Sequence, residues 1–156
     1  MGFSLSSPSF QSRGDIPERH TVAGANVSPP LEWKEVPPET KSLALILEDP
    51  DAPDPQAPKK IFVHWVLYNL PPTSRGLREG IDRLPGDAQV GLNDLKQAGY
   101  SGPNPPIGKH RYVHRLFALD TVLDDLGDGA TRKDLEKAMK GHVLAEAALI
   151  GLYANH

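Results

Sequence analysis

Two apolar runs of strand length, Ser42–Glu48 and Ile61–Leu70, flank a proline-punctuated stretch, Asp49-Pro50-Asp51-Ala52-Pro53-Asp54-Pro55. The first run is almost continuously apolar, which is the pattern of a central strand covered on both faces. The second is closed by Pro71-Pro72, and its one ionisable side chain is His64. The 16 prolines and 14 glycines stand between apolar runs and not in low-complexity tracts. That distribution favours a turn-rich β protein over disorder.

A chain of 156 residues supports one core, so one domain over residues 1–156 is expected. The 17 basic and 20 acidic residues give a net charge of −3 with no basic stripe, so nucleic acid is not an expected partner. With no cysteine there is no disulfide framework, thiolate metal site or thiol nucleophile. The N-terminal residues lack the basic and apolar regions of an export signal, and no apolar run approaches the roughly 18 residues that span a membrane. A cytoplasmic chain is the expectation.

Phe3–Phe10 reads as a short edge strand marked by Pro8, and Ser28–Trp33 as an extended entry into another strand. Residues Thr73–Ala98 form a long excursion with at most short turns, and His110–Asp120 reads as a strand. Thr131-Arg132-Lys133-Asp134 has the form of a capping box, which predicts a helix over Thr131–Lys140. Val143–Tyr153, with Leu144, Ala147, Ala148, Ile150 and Leu152, is expected as a second helix, apolar on several sides.

Three places carry candidate site residues. Asp49 and Asp51 end the first apolar run on a segment stiffened by Pro50 and Pro53. His64 is expected to share a face with Phe62, Val66 and Tyr68, and a hairpin-like connection would bring it to the two carboxylates. In Gly99-Tyr100-Ser101-Gly102-Pro103-Asn104-Pro105-Pro106-Ile107-Gly108-Lys109-His110-Arg111-Tyr112, strand alternation sends His110 and Tyr112 to one face, roughly 6–7 Å apart. Glycines 102 and 108 would let backbone amides approach a ligand there. The stretch alone is equally compatible with a surface loop leading into an ordinary strand. His114 lies about 13 Å from His110 along a strand, too far to share an ion with it, and Arg111 and Arg115 fall on the other face as solvated or paired charges.

Taken in order, Asp49-Pro50-Asp51-Ala52-Pro53, His64–Pro71 and Gly102–Tyr112 resemble the phosphatidylethanolamine-binding protein family, in particular its bacterial Raf-kinase-inhibitor-like branch. Ser28–Trp33 and Gly141–Glu146 resemble that branch too. The resemblance implies a mainly β fold, a sandwich of two antiparallel sheets with C-terminal helices. It also implies a small surface pocket for an anionic group such as phosphate. The family's binding positions fall on Asp49, Asp51, His64, Gly102, Pro103, His110 and Tyr112; Asn104 stands where bacterial relatives often have cysteine.

The expected function is recognition without catalysis. An anionic or phosphorylated ligand would be met by amides near Gly102, the imidazoles of His64 and His110, and the Tyr112 hydroxyl, with no cofactor or metal. The main alternative is an enzyme using the same groups for acid–base or metal-assisted hydrolysis. A protein-interaction module is the other, and the apolar final helix makes a homodimer plausible.

Overall fold

A computed structural model describes residues 2–155. Its larger sheet has the strand order β6-β4-β3-β7-β8, all neighbours antiparallel, and the smaller has the order β1-β2-β5. Their spans are β1 Ser4–Ser6, β2 Leu31–Lys34, β3 Ser42–Ala52, β4 Lys60–Leu70, β5 Gly76–Leu77, β6 Gln89–Val90, β7 His110–Leu119 and β8 Val143–Tyr153. The helix α1 covers Arg132–Met139.

The apolar run of β3 sits at the centre of the larger sheet because each of its faces has a core to enter. Leu43, Leu45 and Leu47 pack with Leu5, Leu31 and Trp33 of the smaller sheet. Ala44 and Ile46 turn to the opposite side, where Phe117, Leu119 and the α1 residues Leu135 and Met139 close a second core. The excursion after β4 contributes two strands of two residues each, slightly more order than turns alone. The expected capping box is present: the Thr131 hydroxyl accepts the Asp134 N–H, and the Asp134 carboxylate accepts the Thr131 N–H.

Val143–Tyr153 is a strand and not the expected second helix. Its alanines and leucines favour helix locally, but β7 offers a full antiparallel ladder from His110↔Tyr153 to Leu119↔Val143. In that register Ala147, Leu149 and Tyr153 enter the core between the sheets. The helix on which the homodimer expectation rested is therefore absent; Ala147, Leu149 and Tyr153 are occupied internally, while Val143, Leu144 and Ala148 stay exposed. The outer edge of β8 is covered near its end by residues 13–16: Arg13 N–H donates to Ile150 O at 2.6 Å, and Ile16 N–H to Leu152 O at 2.8 Å. A Cβ on Gly151 would lie 2.5 Å from the Ile16 side chain, so this close approach requires glycine.

Three register shifts interrupt the β3–β4 ladder, and two of them shape one end of the sheet. Leu47 opposes Trp65 while Glu48 opposes Val63, so His64 is an extra residue on β4. Asp49 opposes Phe62 while Ala52 opposes Lys60, so β3 carries an extra residue around Pro50-Asp51. Such bulges re-aim side chains.

Candidate functional site

Antiparallel pairing brings the C-terminal end of β3 and the N-terminal ends of β4 and β7 together, and the loop Ser101–Pro106 folds over that end. A cavity of about 330 Å³ lies between them, walled in part by Asp49, His64, Gly102, His110 and Tyr112. These five residues come from three separate stretches of the chain. The β4 bulge explains the face His64 occupies. Val66 and Tyr68 belong to the core under α1. The His64 ring instead lies 4.9 Å from Phe62 and edge-on to Tyr112 at 5.3 Å, centroid to centroid. The expected face-sharing with Phe62 holds, and that with Val66 and Tyr68 does not.

His110 is fully buried and both of its ring nitrogens are engaged by the protein. Nδ1 lies 2.5 Å from Asp49 Oδ2. Nε2 faces two backbone carbonyl oxygens, Ile107 at 2.8 Å and Pro53 at 3.1 Å. Carbonyl oxygens only accept, so Nε2 carries a hydrogen. One further proton lies between Nδ1 and the carboxylate. Whichever side holds that proton, the dyad has no net charge and no N–H left to offer the cavity. The other oxygen of Asp49 accepts the Asp51 backbone N–H at 2.8 Å.

His64 is held differently. Its Nδ1 donates to Ser101 O at 2.7 Å, which fixes the tautomer and leaves Nε2 as a lone pair in the neutral ring. Among the described residues Nε2 has no protein partner. Burial holds the His64 imidazole below its ordinary value, outweighing the opposing pull of the Ser101 carbonyl and the Asp49 and Asp94 carboxylates. The Tyr112 hydroxyl is pushed far above its usual range by burial and nearby carboxylates, so it remains a protonated donor. At the mouth, Lys60 is exposed and places its Nζ 5.3 Å from the Phe62 ring centroid, in cation–π contact.

Two further sequence candidates lie outside the cavity lining. Asp51, displaced by the β3 bulge, binds Arg111: Oδ1 accepts from Nη2 at 2.8 Å, and Oδ2 from Nε and from the backbone N–H. The Arg111 guanidinium holds the Asp51 carboxyl below its ordinary range. The pair fixes the start of β7 and with it His110 and Tyr112. Pro103 is buried, and its carbonyl accepts the Val22 N–H at 3.1 Å. Gly102 lines the cavity, but its N–H donates to Asn26 Oδ1 at 2.7 Å. The expected glycine amide is thus bound to protein, and a Cβ at that position would lie 2.2 Å from His20 O. Arg111 and Arg115 are paired charges as expected, the latter with Glu48 at 2.8 Å and Glu146 at 3.0 Å. His114 is a core residue whose Nδ1 bonds Leu149 O at 3.2 Å.

Sequence reasoning missed Lys60, Ser101 and the apolar wall formed by Val22, Pro53, Leu95 and Pro105. Stepping back along β4 from His64 by twos reaches Phe62 and then Lys60, a signal available in the sequence. Val22 had none, since only a long-range contact brings residues 18–27 against the loop over the cavity: Tyr100 donates its hydroxyl hydrogen to His20 O at 2.6 Å. Among the described residues no group of three or more His, Asp or Glu side chains is placed to hold a metal ion.

The profile of the phosphatidylethanolamine-binding protein family matches residues 6–154. An archaeal relative, the UPF0098 protein of Methanothermobacter thermautotrophicus, is 54% identical over 152 residues, covering 96% of this chain and 97% of its own. The crystal structure of the Chlamydia trachomatis homologue CT736 superposes with a TM-score of 0.91 at 41% identity, covering 99% of each chain. Escherichia coli YbcL, described as a member of the mammalian PEBP family, gives 0.90 at 28% identity over 100% of each chain. With the sheet order, the three-stretch cavity and these matches in hand, the chain belongs to the phosphatidylethanolamine-binding protein family.

Proposed function

We propose that this protein binds a small oxyanion, phosphate or a phosphoryl head group, at the junction of β3, β4 and β7, and that it does so without catalysing a reaction. The carrying observation is the pairing of a lysine at the mouth with a Tyr112 hydroxyl inside that has no partner among the described residues, around a cavity of about 330 Å³. Lys60 supplies positive charge where the ligand enters, and Tyr112 supplies a donor where water is excluded. The family name supports the same ligand class. A regulatory role of the kinase-inhibitor type would operate through occupancy of this cavity.

Recognition is favoured over turnover by the state of the dyad. Asp49 and His110 have the composition of an acid–base pair, yet their protons and lone pairs are bound to each other and to backbone. His64 holds the Ser101 carbonyl and not its hydroxyl, so the two do not form a nucleophile–base pair.

Titration with phosphate and with phosphorylethanolamine, followed by NMR, tests the reading. Shifts are expected at His64, Tyr112 and Lys60, with smaller ones at His110. Saturating ligand with no response at the first three would remove the site. Turnover of a phosphoester substrate panel, abolished by His64→Gln, would replace recognition with catalysis.

A further inference from the structure

The polar lining of the cavity is poorer in donors than an anion site built from histidines and loop amides would be. His110 offers no free N–H, because Asp49, Ile107 O and Pro53 O take both ring nitrogens. Gly102 offers none, because Asn26 takes its amide. The Asp49–His110 dyad adds no net charge. His64 presents a lone pair, because its one hydrogen in the neutral ring is on Nδ1 and is given to Ser101 O. Among the described residues, what remains for a ligand is the Tyr112 hydroxyl on the strands, the neutral Ser101 hydroxyl and Asn104 amide on the loop, one acceptor, His64 Nε2, and the Lys60 ammonium at the entrance.

A fully deprotonated dianion fits this lining badly. It would bring two charges to a wall that is neutral apart from one peripheral lysine, and would set an oxygen lone pair against that of Nε2. The charged and titratable groups facing His64 do not change the balance. They are Asp49 on β3, Lys60 on its own strand, His110 and Tyr112 on β7, and Asp94 ahead of β7. Asp49 is neutralised by His110, and Asp94 is engaged with the Val63 N–H.

We propose that the cavity takes its oxyanion singly protonated, as the monoanion R–O–PO3H−, with the P–OH hydrogen-bonded to His64 Nε2 and a second oxygen on the Tyr112 hydroxyl. His64 is then the residue that distinguishes protonated oxyanions from those without a hydrogen. This inference rests on the oxyanion reading above and deepens it. Methyl phosphate and methyl sulfate separate the two claims. Both are monoanions below about pH 6, the second ionisation of a phosphate monoester, but only the phosphate carries a hydrogen.

Calorimetric titration of the wild-type protein with each probe is expected to favour methyl phosphate by about tenfold or more below that pH. One unmatched buried acceptor is worth about that factor. Affinity for methyl phosphate should fall about tenfold per pH unit above about pH 6, as the monoanion is depleted. In His64→Gln, whose amide can turn an N–H toward the ligand, the preference should collapse toward one. Equal or tighter binding of methyl sulfate by the wild type, or tighter binding of the phosphate dianion, overturns the inference and leaves the oxyanion site standing. Binding of neither probe overturns both.

Discussion

Replacing His110 with alanine removes one half of a buried dyad and leaves the Asp49 carboxylate without its partner. Asp49 is 3% exposed and His110 0%, so water cannot easily replace the lost hydrogen bond. Breaking a buried ion pair from one side costs about 3–5 kcal/mol. For a chain of this length each kcal/mol lowers Tm by about 2–4 °C, so a fall of roughly 6–20 °C is expected. Asp49→Asn should be much milder, about 0.5–1.5 kcal/mol, because its amide can accept the Asp51 N–H and donate to Nδ1 of a neutral His110. In that background His110→Ala strands a neutral amide and not a charge, and should cost about 1–3 kcal/mol. Urea and thermal denaturation of the four proteins completes the cycle. Equal cost of His110→Ala in both backgrounds, or a loss below about 1 kcal/mol in the wild type, refutes Asp49 and His110 as a mutually dependent buried pair at the end of the β3–β7 ladder.

Two other outcomes follow from the same geometry. His20, His64 and His114 are all held below the ordinary imidazole value by burial, His114 to about 4. The unfolded chain takes up these protons first, so stability is complete above about pH 6.5 and declines below it. His114→Leu should flatten this acid limb between about 6.5 and about 4 by one proton, roughly 1.4 kcal/mol per pH unit in urea titrations. An unchanged slope would show that His114 is not buried neutral. Gly102→Ala places a methyl group against His20 O and Asn26 Oδ1 and should cost about 1–3 kcal/mol while weakening phosphate binding through a shifted Val22 wall. Wild-type melting and binding would show that the loop and residues 18–27 are not clamped together as described.

Much of the sheet was legible because its signals are local. The β3 and β4 runs were readable as strands from apolar content and proline boundaries, and α1 from its capping box. Alternation placed His110 and Tyr112 on one face, as the structure has them. What failed failed by long-range cause. β8 has a helix-forming composition, and only its ladder with β7 makes it a strand. His64 parted from Val66 and Tyr68 because β4 carries one residue more than β3 at that point, and no residue in the run announces it.

The sequence by itself determined which chemistry was available: two carboxylates, two histidines and a tyrosine at the ends of three strands, in an order that carries the family resemblance. Composition and spacing suffice for that, since residue type sets which groups can donate, accept or ionise. Only the tertiary structure decided which of those groups a ligand can reach. Hydrogen bonds to Asp49 and two carbonyls withdraw His110, a salt bridge with Arg111 withdraws Asp51, and Asn26 withdraws the Gly102 amide. All of these partners except the Ile107 carbonyl lie more than fifty residues away in the chain, so the number of free donors is a property of packing and not of sequence.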